Sequence, residues 1–265
     1  MKTADEKTTS QPGMSEPFIQ IEDLRKSFGR QEVLKGVNLE VKRGEILVVI
    51  GRSGEGKSVM LKHIMGLMDA DSGVVRVDGE DITDLGERKL GRVRRKLGML
   101  FQEGALFDSL NVARNVAFPL LEAGWKNTDE IFDQVRRTLA EVDLEEHMAK
   151  MPINLSGGMR KRVSLARAVV THPECVLYDE PTSGLDPVVS DSIDRLIRKL
   201  RDVFNLTSLV VTHDMKSAYH IADRIAFYRQ GTIYFLGTPD ELNAQDDPVI
   251  RDFIEGRSRP HDVDL

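Results

Sequence analysis

Two hydrophobic spacings alternate along this chain from Phe18 onward. Residues 18–24 and 33–41 read as strands joined by a turn containing Gly29. Ile46–Ile50 is a short apolar run that ends at a glycine, the pattern of a strand buried on both faces. Met60, Leu61, Ile64, Met65 and Met68 then recur at helical spacing. Residues 74–77 and 97–101 return to a strand pattern. The next clear helix carries Ile131, Phe132, Val135, Leu139 and Val142 on one stripe. Strands are expected at 176–178 and 206–212, with a helix between them on Val189, Ile193, Leu196, Ile197, Leu200 and Val203. Residues 225–228 and 232–236 read as a hairpin around Gln230-Gly231. Strands alternating with helices predict an α/β fold, a mainly parallel sheet covered on both faces.

Composition narrows the class. The 265 residues include 37 Lys or Arg and 43 Asp or Glu, a formal net charge of −6. That balance argues against a broad basic face for nucleic acid. Hydrophobic residues make up 40%, enough for a packed core rather than a disordered chain. The single cysteine, Cys175, cannot form an internal disulfide and suggests a reducing compartment and a buried core role. No apolar run approaches the ~18 residues of a membrane span, and no apolar signal segment opens the sequence. Residues 1–17 are polar and read as a disordered leader, in which Met14 is an alternative start. Residues 18–242 form the expected main domain, with a helical subdomain over about 104–158. Residues 243–265 are a tail.

The strongest local signal is Gly51-Arg52-Ser53-Gly54-Glu55-Gly56-Lys57-Ser58, between an apolar strand and an amphipathic helix. It matches G-x-x-x-x-G-K-[ST] in the right context. Glycines let backbone N–H groups turn toward phosphate oxygens, and the helix start adds partial positive charge. Lys57 would reach the β- and γ-phosphates of ATP, and the Ser58 hydroxyl would ligate Mg²⁺. The plainer alternative is a glycine-rich turn between strand and helix; the motif with both flanks correct favours nucleotide binding. A distant acidic strand end completes such a site: in Cys175-Val176-Leu177-Tyr178-Asp179-Glu180, Asp179 would hold Mg²⁺ and Glu180 would polarise the attacking water as general base.

Leu155-Ser156-Gly157-Gly158-Met159 opens a helix rich in Arg and Lys. A serine and two glycine amides there make a second phosphate-binding surface, which suggests a nucleotide presented by another chain. Ser183-Gly184-Leu185-Asp186 follows the acidic strand end. His213 ends the next strand, where a histidine is better placed for a transition-state contact than for a structural one.

Together these stretches resemble the ATP-binding subunits of ABC transporters, over roughly residues 18–242. GRSGEGKS resembles the Walker A motif, LSGGM the signature with methionine replacing the usual glutamine at Met159, and CVLYDE the Walker B motif with its catalytic glutamate. The resemblance makes Gln102 the Q-loop glutamine, catalytic and a ligand of the metal, and Asp186 a nucleotide-binding residue of the D-loop. It makes His213 the switch histidine and Phe28 the aromatic that stacks on adenine. It implies a P-loop ATPase core with an antiparallel β subdomain and a helical subdomain. It implies a homodimer with ATP between Walker A of one chain and the signature of the other, seated on an integral-membrane permease. Gly104-Ala105-Leu106-Phe107 would meet the permease.

Three stretches, 101–120, 155–168 and 237–257, resemble the Mla/Mce-type phospholipid transport ATPases. That implies a place at the cytoplasmic face of a bacterial inner membrane, with an Mce-domain lipid-binding protein and a small regulatory subunit as further partners; the alternatives are an ATPase subunit of a small-solute importer or exporter and an ABC ATPase that serves no transporter. The apolar positions Val249, Ile250, Phe253 and Ile254 of the tail either dock onto the partner ATPase chain or the regulatory subunit, as the resemblance suggests, or belong to a frayed terminus.

Overall fold

The computed structural model describes residues 16–102 and 104–257. The expected leader lies outside them, apart from Glu16 and Pro17, as does the end of the tail beyond Arg257. The elements run β1 (Ile19–Phe28), β2 (Gln31–Val41), β3 (Ile46–Ile50), α1 (Lys57–Ile64), β4 (Ser72–Val77), β5 (Glu80–Asp81), α2 (Glu87–Arg94) and β6 (Leu97–Leu100). They continue α3 (Val112–Glu122), α4 (Thr128–Glu141), α5 (Gly157–Val169), β7 (Cys175–Asp179), α6 (Pro187–Phe204), β8 (Thr207–Thr212) and α7 (Met215–Ile221). The chain then forms the hairpin β9 (Arg224–Arg229) and β10 (Thr232–Gly237), then α8 (Pro239–Asn243) and α9 (Pro248–Ile254).

A six-stranded sheet in the order β10-β9-β3-β8-β7-β6 is parallel except at β10. A separate antiparallel sheet has the order β2-β1-β4-β5. Successive residues of a strand face opposite sides, and the central strands divide their side chains accordingly. Ile46, Val48, Ile50, Val176, Tyr178 and Val210 join one core cluster with the helices α3 to α7. Leu47, Val49, Cys175, Leu177, Leu209 and Val211 join the other, with α1, α2 and the antiparallel sheet. Cys175 is fully buried, and burial pushes its thiol pKa far above the usual range. The Gln230-Gly231 turn has positive φ at both residues, 49° and 89°, the geometry that suits a tight two-residue hairpin.

The parallel strands set the site. Ile50 pairs with Thr212, and Asp179 with Val211, so β3, β7 and β8 all end at one edge of the sheet. Open α/β sheets bind ligands outside the carboxyl ends of their strands.

Two expected apolar stripes are narrower than their spacing predicts. On α4, Val135 and Leu139 are buried but Phe132 is 55% exposed. On α6, Ile193 to Leu200 supply the buried face, while Val203 is exposed. In both, a full turn of apolar spacing is available but only the seam that meets a neighbour is covered. The described part of the tail turns onto its own chain: Ile250 is buried in the core, and the Phe253 ring lies 4.7 Å from that of Phe227 on β9.

Candidate functional site

The loop Gly51–Ser58 wraps the end of β3 and opens α1. Gly56 is the N-cap in the left-handed region at φ 111°, and no side chain caps α1. A Cβ there would lie 2.6 Å from Val33 Cγ1 and 3.1 Å from the Tyr228 hydroxyl, so both conformation and space require glycine. Gly51 is equally confined, because a Cβ would meet the Tyr228 carbonyl oxygen at 2.5 Å. Gly54 also has positive φ, at 83°. Glu55 is half-buried, and burial raises its carboxyl pKa. Ser53, Gly54 and Glu55 line a cavity of about 590 Å³ together with Gln31, Val33 and Gln230. Arg52 lies beside a smaller cavity with Glu55 and Phe253.

Lys57 is buried and folded back on the loop. Its ammonium donates to the Gly51 carbonyl at 2.8 Å and to the Arg52 carbonyl at 2.6 Å. Burial lowers its pKa, opposed by the carboxylates of Glu180, Glu55 and Asp179. The Ser58 hydroxyl donates to Asp179 Oδ1 at 2.8 Å, which ties the first turn of α1 to the end of β7. Burial raises the pKa of Asp179, while Ser58 and Lys57 act against it. A desolvated carboxylate in contact with a hydroxyl is a pair of hard oxygen donors, which fits Mg²⁺ completed by phosphate and water.

Glu180 follows Asp179 with φ 49°, an uncommon conformation for a long side chain. Its N–H donates to the Val211 carbonyl at 2.9 Å, and its carboxylate is buried beside β8. There His213 Nδ1 lies 3.0 Å from Oε1 and 2.9 Å from Oε2, and the Thr212 hydroxyl donates to Oε2 at 3.4 Å. The imidazole itself is 55% exposed, so the pair reaches from the sheet edge toward solvent.

The remaining predicted residues are distributed around this centre. Phe28 ends β1 and is 47% exposed, and Lys26 Nζ stands 5.9 Å from its ring centroid. Gln102 is exposed just beyond β6, and its carbonyl accepts from Lys161. Ser156 is the N-cap of α5, where its Oγ accepts from the Met159 N–H at 3.3 Å. A Cβ on Gly157 would meet Leu185 at 3.2 Å and one on Gly158 would meet Val189 at 2.6 Å, so the signature packs beside the start of α6. Asp186 caps α6, accepting from Val188 and Val189 N–H at 3.0 and 3.1 Å. The structure thus brings Lys57, Ser58, Asp179, Glu180 and His213 together. Ser156, Gly157, Gly158 and Asp186 form a second group at the adjoining starts of α5 and α6.

Sequence reasoning did not single out Lys161, which is buried and donates to the carbonyls of both Gln102 and Glu180. A lysine in a basic helix carries no signal that it turns inward.

Beside Gln102, the expected contact segment divides. Leu106 packs on the core, whereas Ala105 and Phe107 line an apolar groove of about 430 Å³ with Phe101, Phe118, Pro119 and Arg167. No helix among the described residues is long and apolar enough to cross a membrane.

A phosphate loop, an acidic strand end beside it and a second glycine-rich helix start define a P-loop ATPase of the cassette type. The chain belongs to the ABC transporter family, whose model matches residues 34–183. It is an ATP-hydrolysing subunit. It is 40% identical over 239 residues to the probable ribonucleotide transport ATP-binding protein mkl of Mycobacterium leprae, covering 90% of this chain and 69% of that one. It is 40% identical to the methionine import ATP-binding protein MetN 2 of Rhodococcus jostii, over 94% of this chain and 75% of that one. It is 37% identical to the intermembrane phospholipid transport system ATP-binding protein MlaF of Haemophilus influenzae, over 92% of this chain and 93% of that one. Among solved structures, the dimeric post-hydrolysis ATP-binding cassette MJ0796 bound to ADP and phosphate superposes with TM-score 0.76. The two are 32% identical, and the match covers 83% of this chain and 98% of that one.

Proposed function

We propose that this chain powers a lipid transporter of the Mla/Mce kind, as one of two identical ATPase subunits seated on an integral-membrane permease at the cytoplasmic face of a bacterial inner membrane. The convergence of Lys57, Ser58, Asp179, Glu180 and His213 at one sheet edge carries the catalytic part of this reading.

The uncapped amides of α1 and Lys57 receive the β- and γ-phosphates of ATP. For that, the ammonium exchanges its carbonyl partners at Gly51 and Arg52 for phosphate oxygens. Ser58, Asp179 and the Gln102 side chain would hold Mg²⁺, which would supply positive charge against that developing on the phosphates. Glu180 accepts a proton from the attacking water, and His213 holds that carboxylate and contacts the γ-phosphate. Phe28 stacks on adenine. Ser156 and the Gly157 and Gly158 amides, with Asp186 beside them, close over the nucleotide of the second copy.

The groove lined by Ala105, Phe107 and Phe118 receives a permease helix. The lipid assignment rests on the three similar stretches and on the match to the phospholipid transport relative over 92% of this chain and 93% of that one. An Mce-domain lipid-binding protein and a small regulatory subunit complete the assembly. Recovery of the native complex, followed by lipid mass spectrometry, tests the cargo. A retained phospholipid with an Mce-domain subunit supports the reading. A soluble solute-binding protein with no lipid overturns it.

A further inference from the structure

Three side chains of α5, spaced three residues apart on one face, hold the backbone that leads out of β6. Lys161 donates to the Gln102 carbonyl. Ser164 Oγ lies 3.0 Å from the Gly104 carbonyl oxygen. Arg167 donates to the carbonyls of Gly104 and Ala105, both at 2.7 Å. Gly104 and Ala105 stand at φ 77° and 46°, so this is a tight turn whose carbonyls face the helix. Arg167 and Ala105 also line the apolar groove.

Lys161 differs from the other two because it reaches a second strand end. Its ammonium, in a residue only 7% exposed, also donates to the Glu180 carbonyl at 3.2 Å. Among the described residues no ion pair joins it to a carboxylate. Burying an ammonium is costly without strong partners, and burial lowers its pKa while Glu180 and Asp179 raise it. Two carbonyls from separate elements repay that cost. Glu180 is thereby fixed on both sides of its unusual φ. Its N–H is held by Val211, and its carbonyl by Lys161 and by the Ser183 N–H at 3.2 Å. A conformation of this kind persists only where its surroundings over-determine it.

The structure assigns Lys161 as a positioning residue that sets the Glu180 carboxylate and links its placement to the turn at Gln102 and the groove beyond. This rests on the reading of Glu180 as general base. Lys161 does not touch the nucleotide phosphates in this role. It keeps the Glu180 peptide from rotating and so keeps the carboxylate aimed at the water.

The test measures ATP hydrolysis by the native complex containing Lys161→Met, which keeps the stem and removes the charge. The kcat should fall about tenfold to a hundredfold, the scale of a 1 Å misplacement. The KM for ATP and binding of a fluorescent ATP analogue should stay within about twofold, because no phosphate contact is lost. In a Glu180→Gln background the same substitution should change the residual rate by less than about twofold, since residues acting through one group are non-additive. Lys161→Ala, which leaves room for water at both carbonyls, carries the same expectations where the methionine variant does not fold. An unchanged kcat, a KM that rises in step with the loss, or an equal loss in both backgrounds overturns the assignment. Normal turnover by Glu180→Gln alone is a different result, and overturns the general-base reading instead.

Discussion

His213 Nδ1 sits within 2.9 and 3.0 Å of the two carboxylate oxygens of Glu180, bridging the ends of β8 and β7. The histidine is thus placed to hold the direction of the carboxylate. A general base needs both reach and a fixed direction.

Glu180→Gln should therefore bind ATP but hydrolyse little of it, with a kcat loss of about 10²–10⁴-fold. It should accumulate as an ATP-bound closed dimer, visible as a shift in size-exclusion chromatography. His213→Ala should also lower kcat, because it frees the carboxylate, but should leave ATP affinity within about threefold. Near-normal turnover by the glutamine variant would remove Glu180 from the mechanism.

Lys57 and Ser156 lie in separate groups of site residues, which gives the shared-site reading a sharp consequence. Lys57→Ala should lose nucleotide affinity, since it removes the ammonium next to the phosphate loop. A heterodimer with Lys57→Ala in one chain and Ser156→Arg in the other keeps one intact site and one doubly damaged site. With both changes in the same chain, each site is damaged once. The first arrangement should hydrolyse ATP at about half the normal rate if each site works alone, and the second far less. Equal rates from linked, non-exchanging dimers would contradict a site shared between chains.

Much of this site was legible because its residues sit where strands end. Ile46–Ile50 and Cys175–Asp179 are buried along their whole lengths, so their apolar runs stop where the chain meets the ligand edge. The helix over Val112–Glu122 was harder to read, because it holds Pro119, normally a breaker, in its later turns. α2 was obscured by Arg88, Lys89, Arg92 and Arg94, which leave only Leu90 and Val93 to pack. The direction of Lys161 could not be read at all. Neighbouring basic residues on α5 turn to different partners, Arg162 to Asp143 and Lys161 to buried carbonyls. Only the fold separates those two environments.

Asp194 on α6 offers a stability test away from the chemistry. It is 3% exposed, its Oδ1 has no hydrogen-bond partner among the described residues, and burial pushes its carboxyl up to about 6. Ser217 and His220 pull the value down, while Asp214 and Asp191 push it up. A carboxyl whose folded pKa is raised is held more easily protonated than in the unfolded chain. Its ionisation therefore costs stability, beginning near the unfolded value of 3.8 and complete above about 6. Asp194→Asn should raise stability by about 1–2 kcal/mol near neutral pH and give no such gain at about pH 4. Melting temperatures at the two pH values decide it. A gain of equal size at both would mean that ionisation of Asp194 is not the cause.

The groove beside Gln102 gives the last prediction, because its shape depends on one buried amide. Asn115 accepts from the Phe107 N–H at 2.8 Å and donates to the carbonyls of Phe107, Leu110 and Asn111. That network turns residues 107–111 back onto α3, where the Phe107 ring lies 4.8 Å from that of Phe118, tilted at 52° to it. Both rings remain exposed although their backbone is fixed, the arrangement of a preformed apolar socket. Phe107→Asp places a charge in that socket without touching the phosphate loop. Permease recovered with the tagged chain should fall at least about tenfold, the order expected when a buried aromatic anchor is lost. ATP-analogue binding by the isolated chain should stay unchanged. Asn115→Ala should weaken the same contact and also lower thermal stability, because the Phe107 N–H loses its acceptor and the Leu110 carbonyl its side-chain donor. Full recovery of the permease with Phe107→Asp would place the membrane contact elsewhere on the surface.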